Sequence, residues 1–201
     1  MLIAVRDLSS AVLEFEARYG LVSVEGGRHA AWGTANRIVP LGETYLELVA
    51  VVDQKEAAQS AFGRWVATSP PNAPLGWAIR TNDLDAIAGR LGLSVASGSR
   101  PTSSGELLSW RIAGVEQSMV EPGLPFFIEW ASGARLPSSI AVSHPAAVQG
   151  ITELIIQDDQ GRLTSWLGGH SLPLTARPGR SRVLEIVLST QSGPISVRSD
   201  D

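Results

Sequence analysis

Apolar and polar positions along the chain follow a plan that is used twice. Ala4 to Arg28, "AVRDLSSAVLEFEARYGLVSVEGGR", and Ala78 to Arg100, "AIRTNDLDAIAGRLGLSVASGSR", each open on an apolar strand that reaches Asp-Leu. A helical pattern follows, marked by Val12, Phe15 and Tyr19 in the first copy and by Ile87, Ala88 and Leu91 in the second. Asp7, Ser9 or Ser10 is placed to cap the first helix, and Asn82 or Asp83 the second. Both helices run into Gly-Leu, at Gly20-Leu21 and Gly92-Leu93, where a helix C-terminal glycine is expected, and a short strand and a Gly-containing turn come next. The second helix is shorter by about one turn, a difference that keeps its apolar face.

Two more strands complete each unit. In the first copy they are "RIVPL" (Arg37 to Leu41) and "TYLELVAVV" (Thr44 to Val52), joined by Gly42-Glu43. In the second they are "ELLSWRIAG" (Glu106 to Gly114) and "FFIEWA" (Phe126 to Ala131). The repeated unit is therefore βαβββ, and its last strand carries a carboxylate both times. Alternation puts Glu47 on one face with Tyr45 and Val49, and Glu129 on one face with Phe127 and Ala131. Trp130 then falls on the opposite face, where a helix would pack. A solvent face would accept such glutamates, but the apolar neighbours around both argue for a shared cleft.

These patterns predict an α+β fold. Residues 1–52 and 74–133 form the two βαβββ modules, whose curled mixed sheets surround the cleft. A helical, then Pro-rich linker ("SPPNAP") spans 53–73, and a loop-rich connection spans 134–149. Residues 150–198 read as a third, abbreviated βαββ-type module, all parts sharing one compact unit.

Composition narrows the function classes. With 201 residues, 44% of them hydrophobic and 18% charged, the chain can bury a sizeable core. A net charge of -4 and scattered basic residues give no footprint for nucleic acid or an anionic membrane. The absence of cysteine removes disulfides, thiolate metal sites and a cysteine nucleophile. The N-terminal apolar run stops at Arg6-Asp7, unlike a signal peptide, and nothing reaches the length of a membrane span, so a soluble, cytoplasmic protein is expected. No serine sits in a Gly-x-Ser-x-Gly frame, and Lys55 is the only lysine, far from any phosphate-cradling glycine loop.

The segment Gly26 to Val51, "GGRHAAWGTANRIVPLGETYLELVAV", combines Gly-Gly-x-His, Gly-Thr-x-Asn, a Leu-Gly turn and Tyr-Leu-Glu-Leu. With the paired βαβββ plan it resembles the vicinal oxygen chelate superfamily, and within it the glyoxalase-like domain family. The resemblance implies a cleft into which metal-dependent members project one side chain, often His, from the first strand of each module and one, often Glu, from the last. Glu47 and Glu129 match the last-strand positions. The first-strand positions fall just ahead of Met1 and at Gly76 or Trp77, which offer no ligand. Two carboxylates alone make a poor zinc site, whereas Mg²⁺ or Mn²⁺ completes its shell with water; the pattern does not distinguish Zn, Mg, Mn, Ni or Fe.

The remaining candidates surround these glutamates. His29, after "EGGR", is either a locally bonded loop residue or a cleft imidazole able to shuttle protons or bind metal, and the family pattern favours the cleft. Asn36 and Thr34 either hold the loop carrying His29 or face ligand. Tyr45, Trp32, Trp77 and Phe127 are expected to line the pocket, and His144 and His170 to be turn residues. Two functions follow from the resemblance. One is a glyoxalase-like enzyme in which Glu47 and Glu129, with His29 assisting, hold a divalent ion or act as acid and base through an enolate-like intermediate. The other is a protein that binds or sequesters a small molecule without chemistry. A small-molecule partner is implied by both, and pairing of modules between chains would give a homodimer.

Overall fold

The computed structural model describes residues 1–101 and 107–198. Its first unit runs β1 (Leu2–Ala4), α1 (Leu8–Tyr19), β2 (Val24–His29), β3 (Thr34–Leu41) and β4 (Thr44–Val51). Asp7 begins α1 by accepting a 2.7 Å hydrogen bond from the Ser10 amide, and Gly20 ends it at φ 63°, a conformation glycine adopts without a Cβ penalty. β1 pairs in parallel with β4, which pairs antiparallel with β3, and β3 with β2.

Two short helices follow, α2 (Gln54–Gln59) and α3 (Ala61–Thr68). Ser60 separates them and caps the second by accepting from the Gly63 amide. The linker expected over residues 53–73 runs into a further strand, β5 (Ala73–Gly76), which lies antiparallel to β1 and so joins the first sheet, not the second. The first sheet therefore has the order β2-β3-β4-β1-β5. After Trp77 the chain enters the second sheet.

That sheet repeats the first plan with β6 (Ala78–Arg80), α4 (Leu84–Leu91), β7 (Val95–Pro101), β8 (Leu107–Ala113), the short α5 (Val115–Val120) and β9 (Phe126–Trp130). Asp83 and Gly92 start and end α4 as Asp7 and Gly20 do α1. Its order is β6-β9-β8-β7, with β6 parallel to β9. The strand expected from Glu106 to Gly114 is observed from Leu107 to Ala113; Glu106 lies outside the described residues.

The third sheet holds β10 (Val148–Gln157), β11 (Leu174–Arg177), β12 (Arg182–Thr190) and β13 (Ile195–Arg198), with α6 (Gln160–Leu167) after β10. Its order, β11-β10-β12-β13, differs from the other two. Its first strand pairs in parallel with its second, not its fourth. This sheet shares a core with the first. Ile3, Phe15, Val39, Leu46 and Leu48 form one buried cluster with Ile156, Ile186 and Leu188. A smaller cluster under α4 joins Leu84, Ile87 and Ala88 to Ala113 and Phe127. Among the described residues no helix is long and apolar enough to cross a membrane.

Candidate functional site

Alternation along β4 sends Leu46 and Leu48 into the core and leaves Tyr45 and Glu47 facing a cavity of about 440 Å³. The cavity lies between the first two sheets and is also lined by Ile151 and Leu154 of β10 and by Leu172 and Pro173 just ahead of β11. Its walls are aromatic: Trp32, Phe62, Trp77, Trp110, Phe126 and Trp130 all line it. Trp32 packs against Phe62 at 4.8 Å between ring centroids, and Trp110 meets Trp130 edge-on at 5.6 Å.

The polar atoms gather around Glu47. Asn36, 6% exposed, donates from Nδ2 to Glu47 Oε1 at 2.5 Å. The Gly27 amide donates to Asn36 Oδ1 at 2.6 Å, which fixes the orientation of the side-chain amide so that its NH₂ points at the carboxylate. The paired glycines make this possible. β2 bulges between Glu25 and Arg28, and a Cβ on Gly26 would lie 2.0 Å from Asn36 Oδ1.

His29 lines the same cavity, its Nδ1 3.2 Å from Thr34 Oγ1 and its ring 5.3 Å from Trp32. Burial lowers the His29 pKa, while the Glu47 charge opposes that shift and Arg100 adds to it. At neutral pH the imidazole is neutral. Tyr45 is pushed the other way, above its ordinary value, first by burial and then by Glu47, so its phenol stays protonated and able to donate. Arg100, on β7 of the second sheet, completes the polar end and donates from Nη1 to the Gly26 carbonyl at 3.2 Å. Arg80 also lines the cavity, with Glu43 of the β3–β4 turn 3.7 Å away.

Six expected cleft residues thus come together: Glu47, His29, Tyr45, Trp32, Asn36 and Trp77. Glu129 and Phe127 do not join them. Counted from the capping aspartates Asp7 and Asp83, Leu2 and Ala78 are equivalent, and their parallel partners are Glu47 and Phe126. Phe126, Ile128 and Trp130 consequently face the cavity, and Phe127 and Glu129 face α4. Phe127 is fully buried there against Leu84 and Ile87. Glu129 accepts from the Leu84 amide at 3.4 Å and pairs with Arg111 at 3.3 Å. A carboxylate at a helix N-terminus is in a favourable field. Trp130, expected under a helix, is instead a cleft wall.

Sequence reasoning missed Arg100 and Phe62. Arg100 ends the polar run "SVASGSR", whose lack of apolar alternation gives no face to read. Of the three histidines, His144 is structural as expected, its Nδ1 accepting from the Val22 amide at 3.0 Å and its Nε2 donating to the Pro40 carbonyl at 2.7 Å.

The donors do not fit a divalent-metal centre of the kind the resemblance implies. Glu47 is already held by an amide N–H, and Phe126 stands at the position equivalent to it. Gly76 has no side chain, and the Trp77 indole N–H is spent on the Gly123 carbonyl at 2.9 Å. Among the described residues no group of three or more His, Asp and Glu gathers in a ligating arrangement.

Known proteins place this fold. A crystal structure of a hypothetical protein from Staphylococcus aureus is similar over all of this chain and 85% of its own, with a TM-score of 0.63 at 15% identity. A methylmalonyl-CoA epimerase from Mycobacterium tuberculosis overlaps 64% of this chain and 83% of its own, with a TM-score of 0.44 at 19% identity. A Streptomyces coelicolor methylmalonyl-CoA epimerase in complex with 2-nitronate-propionyl-CoA overlaps 66% and 94%, with a TM-score of 0.45 at 21% identity. The first likeness supports the fold across the whole chain; the epimerase likenesses are too slight to carry anything about activity. No curated protein matches the chain. The profile of the Glyoxalase-like domain matches residues 1–170, which include both βαβββ units, and the chain belongs to that family.

Proposed function

We propose that the cleft binds a small, largely apolar carbonyl compound and that Glu47 is the group that takes a proton from it. The observation that carries this reading is the Glu47 carboxylate, facing a Trp-walled cavity and held by the Asn36 amide. In such a site Glu47 accepts the proton from a carbon next to the carbonyl, and the electron pair moves onto the carbonyl oxygen. The Tyr45 hydroxyl, kept protonated, donates to that oxygen as it gains charge. Glu47 then returns the proton as the carbonyl re-forms: delivered to the same face of the carbon it restores the substrate, and delivered to the opposite face, after the planar enolate has turned over in the cavity, it gives the epimer. Neutral His29 is available beside it to relay protons. Glu129 takes no part, and no metal is required by these steps.

The abundance of tryptophan in the walls favours a second reading, in which the same compound is bound and not transformed. Solvent exchange separates the two. A panel of aryl-substituted ketones and 2-oxo acids is incubated with the protein in D₂O, and loss of the proton next to the carbonyl is followed by NMR. Glu47→Gln keeps an acceptor for Asn36 but removes the base, and should slow exchange by about 100-fold or more. Exchange no faster than in buffer, or equal in wild type and Glu47→Gln, would leave only the binding reading.

A further inference from the structure

We infer that Asn36 is a positioning residue that selects which oxygen of Glu47 reacts: it engages Oε1 and leaves Oε2 to meet the ligand, and the bulge at Gly26-Gly27 holds it in place. This deepens the function proposed above and rests on Glu47 being the group that meets the ligand.

The main chain of Glu47 is fixed on both sides, by Leu2 of β1 and Ile38 of β3, but its side chain can rotate unless something holds the carboxylate. Among the described residues the only hydrogen bond to that carboxylate is the one from Asn36 Nδ2 to Oε1. The Met1 ammonium donates to the Tyr45 carbonyl at 3.1 Å, His29 meets Thr34 and Arg100 reaches the Gly26 carbonyl; these groups share the cavity without bonding to the carboxylate. Among the described residues no sealed side-chain oxygen lacks a partner, so Oε2, which has none, is open to the cavity. Asn36 serves Glu47 in one orientation only, because its Oδ1 is taken by the Gly27 amide. The bulge between Glu25 and Arg28 brings that amide within reach, and Gly26 leaves the room: a Cβ there would lie 2.0 Å from Asn36 Oδ1 and 2.7 Å from the Asn36 carbonyl oxygen. Without the Asn36 amide the carboxylate would turn freely, and misplacing a reacting atom by about 1 Å costs on the order of 100-fold in rate. The aromatic walls that bind the ligand would be untouched. The loss therefore falls on the reacting step and not on binding.

Labelling with 2-bromoacetophenone tests this. The reagent is an aryl ketone whose carbon next to the carbonyl is attacked by a carboxylate oxygen, forming an ester as bromide leaves. The full chain is incubated with increasing reagent, and the modified residue is mapped by mass spectrometry. Wild type should be esterified at Glu47 at a rate that saturates. Asn36→Thr suits a strand but cannot reach both Gly27 and Glu47. It should lower the maximal rate about tenfold or more and leave the half-saturating concentration within about twofold. Gly26→Ala, which displaces Asn36 without altering any cavity side chain, should do the same; a folded Gly26→Ala that labels like wild type overturns the role of the bulge. The assignment of Asn36 is overturned by an unchanged maximal rate in Asn36→Thr, by a half-saturating concentration that rises as much as the rate falls, or by no saturable labelling of Glu47 in wild type. Proton exchange separates this from the proposed chemistry. Labelling that shows the expected split, with no exchange in any carbonyl compound, removes Glu47 as a base and leaves Asn36 as its positioning residue.

Discussion

Glu47 and Glu129 looked alike in sequence because each sits mid-strand among apolar residues, yet one serves a cleft and the other a helix. The difference is one of phase, which periodicity within a strand cannot supply: alternation gives two faces without saying which is inner. Glu47 was legible because "TYLELV" has a Leu on each side of it, so only one face can be core. "FFIEWA" is apolar on both faces, and pairing with β6 decides between them. His29 offers a test at this scale. Its pKa is lowered in the fold, so the unfolded chain binds the proton more readily. The stability this ring contributes is full above its ordinary pKa of about 6.5 and falls away as pH drops through the lower folded value. Urea unfolding at pH 7.5 and 5.5 should show a larger loss in wild type than in His29→Gln, which lacks the titrating ring. An equal loss in both would mean that His29 is not held neutral.

At the scale of elements, β9 is a strand with two functions separated by its pleat. Phe126, Ile128 and Trp130 wall the cleft; Phe127 and Glu129 hold α4. Helix caps and their glycines were readable because they depend on local chemistry, Asp7 and Asp83 before the helices and Gly20 and Gly92 after them. β5 was not readable, because "APLG" has too few residues for a pattern and becomes a strand only by adding to β1. The role of Glu129 gives the expected outcome for this element. Its bond to the first amide of α4 and its partly exposed pair with Arg111 together contribute about 1 kcal/mol. Glu129→Gln should lower the melting temperature by a few degrees and leave proton exchange at the wild-type level. Loss of exchange equal to that of Glu47→Gln would return Glu129 to the reacting centre.

Across the whole molecule, the third sheet shares the core of the first and adds Ile151 and Leu154 of β10 to the cavity wall. Its strand–helix–strand pattern was legible, but its strand order was not, since pairing partners distant in sequence leave no periodic signal. It is tied to the second sheet through the segment before β9. Asp158, with no exposed surface, accepts from Arg162 Nη2 at 2.6 Å, from the Asp159 amide at 2.7 Å and from Ser181 Oγ at 2.5 Å. Ser181 Oγ in turn accepts from the Gly123 amide at 2.9 Å, while Arg162 also pairs with Glu121. Nearby, the Trp166 indole N–H donates to the Pro125 carbonyl at 2.8 Å and its ring stacks on Phe127. Replacing Asp158 by Ala strips a buried acceptor from three donor residues at once, Arg162 with two of its nitrogens, and should cost roughly 3 kcal/mol. Because Ile156, Ile186 and Leu188 share one core with Ile3, Phe15 and Leu48, the third sheet has no separate cluster with which to unfold alone. Denaturant unfolding of Asp158→Ala should therefore remain a single transition, moved to lower denaturant with its slope unchanged. A first transition confined to the third sheet, read by Trp166 fluorescence ahead of the loss of far-UV signal, would show instead that this sheet is an independent cover over the cleft.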